Sequence, residues 1–483
     1  MGPMNEHPAE PLTVTASAVV ADEHDPDQDE WVERLEQRVF APTRARGLAY
    51  QLWLFGLVAI MAFGGIALVL QLRDGLYVTA MRDRISWGLY ITAFVFFIGI
   101  SHAGTLISAI LRVSNATWRT PVTRIAEAIT VVALVCGGFM VIVDMGRPFN
   151  LYQLWLHGNW QSPIMWDMMA ITIYLTGSVT YLLVPMVPDL ALFRDRLRGR
   201  VPRIQSWVYD VFSFGWTGNA EQKRSLLKAI SVLAVLIIPI AVSVHTVVSW
   251  IFAMTVRVSW NSTIFGFFFV AGAIFSGIAA LILVLATVRK IYDLDEYVTY
   301  IHFKYLAYML LTTAMVMIYA NASEFITKGY HAEEEDLFAF RELFVTDFAP
   351  FFWFYFFGGL VAPILIIAYP RTRTISGFVV SSVLVLAAMF VERYFIVVAG
   401  MRVPLMPYEP AHYTPTWNEW AMVAAGVATF LFLLTLFVRF LPILAVWEMK
   451  EEYEEQQMAA SPEQAMVSNS ATAPQPSMSV GGP

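Results

Sequence analysis

Long apolar runs recur along the chain, and each is long enough to form a helix that crosses a lipid bilayer. A bilayer core about 30 Å thick needs roughly 20 apolar residues in a helix. The runs lack the alternation of polar and apolar residues that is typical of barrel strands. The pattern therefore predicts an all-α polytopic membrane protein with ten transmembrane helices. The predicted spans are 48–72, 86–111, 121–143, 163–187, 226–252, 262–288, 301–326, 347–369, 374–399 and 418–446.

The composition agrees with a membrane protein and excludes several kinds of cysteine-based site. Hydrophobic residues make up 58% of the 483 residues and charged residues only 14%, whereas soluble proteins carry about 25% charged residues. The single cysteine, Cys136, excludes an intrachain disulfide, a four-cysteine iron–sulfur site, a zinc ribbon and a C-x-x-C-H haem attachment. A net charge of -7 gives no support for nucleic-acid binding.

The distribution of Lys and Arg predicts the orientation of the spans. Cytoplasmic loops carry an excess of these residues. If the N-terminus is cytoplasmic, the loops on that side carry more than twice as many Lys and Arg as the loops on the other side. We therefore expect both termini to be cytoplasmic.

The segments outside the spans differ in character from them and from each other. The N-terminal segment, residues 1–29, is acidic and polar. It lacks a basic region followed by a cleavage site, so no signal peptide is predicted. The following segment, residues 30–47, places Trp31, Leu35 and Val39 on one helical face, which favours an interfacial helix. The predicted divisions are a disordered cytoplasmic segment (1–29), an interfacial amphipathic helix (30–47), a ten-helix membrane domain (48–450) and a largely disordered cytoplasmic tail (451–483).

Small residues recur four apart in spans 2 and 6, where they allow helices to approach closely. Packing alone explains this spacing. The similarity of residues 103–113 to residues 276–290 further suggests parallel repeats. The fold expected is two related four-helix bundles, spans 2–5 and 6–9, with two peripheral helices.

Carboxylates at the outer ends of spans 3 and 4 are candidates for binding a ligand and taking its protons. Ionisable groups inside a membrane are costly, so they are functional hypotheses by default. Asp167 lies four residues into span 4, and Asp144 ends span 3 at the same outer side. Two carboxylates at matched depth could accept protons from a ligand. Alternatively, Asp144 pairs with Arg147 and caps its helix.

Four further ionisable residues outline a polar path, or relay, across the membrane: His102, Glu127, His245 and Glu392. The alternatives are that the histidines bond neighbouring helices and that the glutamates snorkel to the helix ends. Haem b would need two histidines at one depth. His102 lies about 22 Å along span 2, towards the inner half, and His245 about 10 Å from the outer end of span 5. We therefore expect no haem, and no metal site is predicted.

Several motifs together resemble one family. The main one is the run ISHAGTLISAILR at residues 100–112. It is similar to the NrfD/polysulfide-reductase membrane subunits, and most like the ActC type in the quinol-oxidising alternative complex III. The supporting stretches are Gly146-Arg147-Pro148, Trp166-Asp167, 242–250 (VSVHTVVSW), 270–277 (VAGAIFSG), Glu392-Arg393 and 413–417 (YTPTW).

The resemblance implies a subunit without haem or iron–sulfur clusters in a bacterial inner (cytoplasmic) membrane. It would hold a quinol, expected to be menaquinol, near the outer face and act only within a quinol-oxidising complex. Electrons would pass to an iron–sulfur subunit and to multihaem and monohaem c-type cytochrome subunits. A second NrfD-like subunit and membrane lipids complete the expected partners. Coupled proton translocation is a further hypothesis.

The resemblance also assigns site residues. Asp167 matches the quinone-site aspartate of the family, and Asp144 stands where relatives usually have a histidine. Arg147 and Trp166 would complete the site. Ile251 replaces an aspartate proposed to serve proton transfer, which leaves a path through span 5 in doubt. Two other readings stay open: a structural NrfD-like anchor subunit, and a secondary transporter with its site at mid-membrane.

Overall fold

The computed structural model describes residues 26–44, 47–255, 257, 260–331, 333–404, 406 and 409–460. The predicted disordered segments fall largely outside this range, at residues 1–25 and 461–483. Within it the chain is almost entirely helical, and its one β-type pairing is an isolated bridge between Arg82 and Ile85. The all-α fold is confirmed.

The part of the chain that the structure describes holds ten apolar helical segments long enough to cross a membrane, as predicted, and the chain is a multi-pass integral membrane protein. The fourth continues through a 3-10 turn into α7, and a π-helical stretch (Phe354–Val361) makes the eighth continuous. The segments are α2 (Leu48–Asp74), α3 (Leu89–Val113), α4 (Thr120–Asp144), α6 (Pro163–Leu183), α9 (Ala220–Ala253), α10 (Phe265–Ile291), α11 (Tyr300–His331), α13 with α14 (Ala349–Trp353 and Ala362–Ala368), α15 (Ile375–Arg402) and α16 (Trp417–Phe440).

Shorter helices lie between and beside these segments, and two of them bring the ends of the described chain together. They are α1 (Pro26–Phe40), α5 (Tyr152–His157), α7 (Val187–Leu197), α8 (Arg203–Phe212), α12 (Glu334–Phe344) and α17 (Val446–Ala460). The rings of Trp31 in α1 and Tyr453 in α17 stack with centroids 4.5 Å apart. We call the side holding α1 and α17 the terminal side. The opposite side holds the described residues of the other connections, at 75–88, 145–162, 254–255, 257, 260–264, 333–348, 403–404, 406 and 409–416.

Helix α1 is amphipathic, as predicted, but its apolar face packs against the protein. Leu35 and Val39 are buried, and the ring of Phe40 contacts that of Phe193 in α7. On the polar side of the contact, Lys450 in α17 donates to Glu36 at 3.2 Å. The residues predicted to face a membrane surface are thus used to join the terminal side of the protein together.

Helices α3 and α10 lie at the centre and pack against each other. Around α3 lie α4 and α9, and α6 packs on α9; around α10 lie α11 and α15, and α14 packs on α15. We call these the first and second helix sets. Helices α2 and α16 pack together at the edge. This pairing is what two related four-helix bundles would give, while the repeat itself stays a prediction.

One glycine shows why small residues are needed at the centre of the first set. A Cβ atom on Gly104 of α3 would collide with the carbonyl oxygen of Ala126 and the hydroxyl of Thr130, both in α4. Close backbone approach of this kind is how small residues serve helix packing in membranes. It also brings the polar groups of α4 directly onto α3.

Candidate functional site

Asp167 lies near the start of α6 on the opposite side. Its side chain is only 7% exposed, and its Oδ1 atom is buried without a hydrogen-bond partner in the described chain. The neighbouring Trp166 is half-buried, and its indole N–H donates to the carbonyl oxygen of Trp160 at 2.7 Å. That bond fixes the orientation of the indole ring. A buried acceptor without a partner is costly, so this carboxyl group is placed as a ligand-binding group would be.

Asp144 faces a different set of groups. Its Oδ1 atom is also buried without a hydrogen bond in the part of the chain that the structure describes, and its electrostatic neighbour is Glu419 of α16. Arg147 is exposed, and among the described residues it forms no ion pair with Asp144. Nor does a hydrogen bond join Asp144 to Asp167 there. The two carboxylates lie on the same side and on packed helices, but each has its own surroundings.

A polar cluster that the sequence did not reveal surrounds the end of α4. Gln71 of α2 donates to the carbonyl oxygen of Val143 at 2.7 Å and accepts from the Tyr90 hydroxyl at 2.7 Å. The amide of Asn418 in α16 lies 3.3 Å from the same hydroxyl. These residues come from helices far apart in the sequence, so no local motif indicates their contact.

Polar residues continue from Asp167 along one face of α6 towards the terminal side. Tyr174, Ser178 and Tyr181 follow at spacings of 7, 4 and 3 residues, and all are buried. Such spacings place side chains on one helical face. We call this row, together with the residues of α3 and α4 that it contacts, the polar stripe.

At the middle of the polar stripe, a threonine side chain enters the backbone of α3. The Thr130 hydroxyl of α4 donates to the Ser101 carbonyl oxygen at 2.7 Å and accepts from the Thr105 N–H at 2.8 Å. Those two backbone groups bond to each other in a regular α-helix, and insertion between them is one cause of helix bending. The Tyr174 hydroxyl also donates to Ser101, at 3.1 Å.

Nearer the terminal side, the polar stripe contains a buried carboxyl group. Ser108 donates to Glu127 at 2.6 Å and lies 3.4 Å from the Tyr181 hydroxyl. One turn further along α3, Arg112 pairs with Glu448 of α17 at 2.9 Å. Glu127 was predicted to reach a helix end by snorkelling as one alternative, but its side chain is fully enclosed by protein.

Ion pairs that the sequence did not reveal hold α17 against the end of the polar stripe on the terminal side. Glu448 binds Arg119 at 2.7 Å as well as Arg112. Arg124 in α4 pairs with Asp189 in α7 at 2.8 Å, and the Trp447 N–H donates to Asp189 at 3.0 Å. These pairs link α3, α4, α7 and α17 on the terminal side.

The structure corrects the predicted depths of the two histidines. His102 in α3 and His245 in α9 are 0% and 2% exposed, and their ring centroids lie 4.1 Å apart. They are 13 residues from Leu89 and 8 residues from Ala253, or about 20 and about 12 Å along their helices. The ends of α3 and α9 are therefore not level, and this offset brings the rings to one depth.

The contact changes the reason for expecting no haem between these histidines. The prediction relied on different depths, and that reason is wrong. However, rings that touch each other leave no gap for a porphyrin between them in this arrangement. The carbonyl groups of Ile98 and Ala241 approach the His245 ring.

Glu392 also lies deeper than predicted. It is fully buried in α15 beside Arg393, with 3.1 Å between their charged atoms. The Arg393 guanidinium covers the Phe269 ring at 4.7 Å and is an electrostatic neighbour of His245. Snorkelling to a helix end does not explain Glu392. Its carboxylate belongs to a polar group at the centre of the protein, next to the histidine pair.

Among the described residues, no group of three or more His, Cys, Asp or Glu side chains is placed to hold a metal ion. The polar groups of the first set are instead hydroxyl, imidazole and carboxyl groups in a row. Such groups can exchange protons when water joins them. The chemistry that the arrangement can support is therefore ligand binding at Asp167 and proton transfer along the polar stripe.

Comparison with known proteins gives the family. The profile described as "Polysulphide reductase, NrfD" matches residues 77–404, which covers the membrane segments from α3 to α15. A Halobacterium salinarum protein whose name describes it as a dimethyl sulfoxide reductase membrane subunit is 29% identical, over 70% of this chain and 74% of its own length.

Two further relatives carry names that refer to menaquinone. The Hdr-like menaquinol oxidoreductase integral membrane subunit of Archaeoglobus fulgidus is 22% identical, over 83% of this chain and 95% of its own. The menaquinone reductase integral membrane subunit of Nitratidesulfovibrio vulgaris is 22% identical, over 82% and 92%.

Proposed function

The chain belongs to the NrfD family of membrane subunits, and from this premise we propose that it binds and oxidises a quinol within a larger redox complex. The observation that carries the proposal is the Asp167 carboxyl group, which lies at the start of the polar stripe. Its Oδ1 atom is buried and has no hydrogen-bond partner among the described residues. Oxidation of a quinol releases two protons with two electrons. A base within hydrogen-bond reach of the hydroxyl must take up a proton.

In the proposed site, Asp167 accepts the first proton and the Trp166 ring forms one side of the pocket that holds the headgroup. Asp144 assists from the neighbouring end of α4. Arg147 acts only through its long-range charge, because it makes no ion pair with Asp144 in the described chain. The ligand class is supported by the relatives whose names refer to menaquinol and menaquinone. We therefore propose menaquinol as the substrate, bound near the extracytoplasmic face of a bacterial cytoplasmic membrane.

Electrons would leave through partner subunits. The chain has one cysteine and its deep histidines touch each other, so no redox centre can be assigned to it from these groups. Within the family we propose the alternative complex III type, on the motifs quoted above. The electron acceptors would be an iron–sulfur subunit and multihaem and monohaem c-type cytochromes, with a second NrfD-like subunit beside them.

The polar stripe supports a route for protons between Asp167 and the terminal side. The route would run through hydroxyl and carboxyl groups on α6, α4 and α3. From Asp167 towards the terminal side these are Tyr174, Thr130 and the Ser108–Glu127 pair. The route does not pass Ile251. His102 and His245 lie beside it, and imidazole exchanges protons near neutral pH. Glu392 and Arg393 extend the polar centre into the second set.

Purification of the complex that contains this chain tests the proposal. We expect c-type haem to copurify, and organic extraction to yield menaquinone in an amount comparable to the chain. A transporter would copurify with neither. If the chain is only a structural anchor, haem should copurify but no quinone should be bound at Asp167. The quinone content of the Asp167→Leu complex distinguishes the two: a content equal to that of the unsubstituted complex would contradict the quinol site.

A further inference from the structure

Helix α8, between the fourth and fifth membrane segments, has an apolar face that the described protein leaves uncovered. Ile204, Trp207 and Val211 follow at spacings of three and four residues, which places them on one helical face. Ile204 and Trp207 are 80% and 61% exposed, and Val211 is exposed as well. Large apolar side chains that are exposed together mark an interaction surface. We call these three residues the apolar face of α8.

The other face of α8 is held against the protein. Gln205 and Tyr209 are buried there, and the Gln205 amide donates to the Tyr209 hydroxyl at 2.6 Å. That hydroxyl donates in turn to the carbonyl oxygen of Phe440 at 2.8 Å. The Tyr209 ring contacts that of Phe193 in α7, with centroids 5.4 Å apart. These contacts fix the orientation of α8, so its apolar face is directed away from the protein.

The contact with Phe440 also sets the depth of α8. Phe440 is the last residue of α16, which is long and apolar enough to cross a membrane. The bond from Tyr209 therefore places α8 at the level where α16 leaves the membrane, on the terminal side. With ten residues, α8 is too short to cross the bilayer. A helix at this level with an exposed apolar face is suited to lie along the membrane surface, where tryptophan is enriched.

The chain around α8 is strongly basic. Residues 194–228 contain eight Lys and Arg residues and three Asp and Glu residues, although the whole chain has a net charge of -7. Arg198, Arg200 and Arg203 lie between the end of α7 and the first turn of α8, and all three are exposed. We call them the α8 arginines. Basic side chains beside a membrane segment are attracted to anionic lipid headgroups.

Depth and charge together indicate what covers the apolar face. We propose that α8 binds the surface of the bilayer, with its apolar face among the upper parts of the lipid chains and the α8 arginines on the phosphate groups of anionic phospholipids. The guanidinium group matches the geometry of phosphate oxygens. An apolar helical face beside basic residues is what interfacial helices present to anionic membranes. Neither Asp167 nor the polar stripe takes part, so this role is independent of the proposed quinol oxidation.

Photocrosslinking of the purified complex tests the proposal, in nanodiscs that contain equal amounts of phosphatidylglycerol and phosphatidylcholine. A benzoylphenylalanine residue in place of Ile204 should form phospholipid adducts, which mass spectrometry identifies. Each basic residue near an anionic surface favours binding about fivefold, so phosphatidylglycerol adducts should outnumber phosphatidylcholine adducts about tenfold or more. Benzoylphenylalanine in place of Asp210 is the matched control. Asp210 is exposed but lies about 120° around the helix from Ile204, and should give few lipid adducts.

Changing the charge tests the role of the α8 arginines. Their joint replacement by Gln should lower the ratio of phosphatidylglycerol to phosphatidylcholine adducts at least about fivefold. Their joint replacement by Lys should largely keep the ratio, because the charge is retained. A ratio near one, or one that the Gln replacement does not alter, would overturn the proposal. Adducts of the Ile204 position with another subunit instead of lipid, or the absence of lipid adducts there, would also overturn it.

Discussion

The imidazole rings of His102 and His245 are in contact, with their centroids 4.1 Å apart, although the residues belong to α3 and α9 and are 143 positions apart in the chain. Both are enclosed by protein, and Arg393 is an electrostatic neighbour of His245. The pair lies next to the point where the Thr130 hydroxyl enters α3. Two ionisable rings in contact at this place connect the polar groups of the first and second helix sets.

If the pair relays protons, replacing either ring should lower the number of protons moved per electron more than it lowers quinol oxidation. Because the rings act together, we expect His102→Leu, His245→Leu and the double variant to show similar losses. Proton uptake and release by the complex in vesicles measures this ratio. His331→Leu, at the exposed end of α11, is the control. A ratio that neither substitution alters would show that the pair is structural.

The Thr130 hydroxyl should contribute to stability because it satisfies two backbone groups of α3. Thr130→Val keeps the shape and removes both bonds, so the free energy of unfolding should fall by about 1–3 kcal/mol. Thr176→Val is the matched control, since that exposed hydroxyl bonds only within its own helix. Thermal unfolding in detergent compares the two variants. Equal melting temperatures would contradict the importance of the inserted hydroxyl.

Docking of α17 should weaken at acid pH. Burial alone would raise the pKa of Glu448, but Arg112 and Arg119 together hold it below its ordinary value of 4.5. A lowered pKa in the folded state means that the stabilisation is complete above 4.5 and is lost as pH falls through the lowered value. Hydrogen exchange of α17 as a function of pH checks this.

The matched variants separate this effect from general acid unfolding. Glu448→Gln leaves two arginines without their partner, and should weaken docking at neutral pH by about 3 kcal/mol and remove the acid dependence. Glu451→Gln, in a more exposed pair with Lys223, should have a small effect. The same acid dependence in Glu448→Gln as in the unsubstituted protein would contradict the assignment.

Much of the fold could be predicted from the sequence because length and hydropathy are local properties. All ten membrane segments lie where the apolar runs indicated. The polar contacts could not be predicted in the same way. The His102–His245 contact depends on the offset between the ends of α3 and α9. The surroundings of Asp144 come from α2, α3 and α16, which are far apart in the sequence. Glu392 is deep because α15 continues to Arg402, beyond the predicted end at residue 399.

The chain expressed alone should show no absorption from b-type haem or iron–sulfur clusters, because the proposed electron carriers belong to partner subunits. Visible spectra of the isolated chain and of the whole complex make the comparison. We expect c-type bands only in the complex. A reproducible b-type spectrum from the chain alone would show that a redox centre has been missed.

The most direct measurement of the proposed function is quinol oxidation by a complex that carries Asp167→Asn. The substitution keeps the shape of the side chain and removes the base, so turnover should fall by about a hundredfold or more while the complex still assembles. Asp83→Asn, an exposed carboxylate on the same side, should leave turnover unchanged. Full quinol oxidation by the assembled Asp167→Asn complex would contradict the quinol site proposed at this residue.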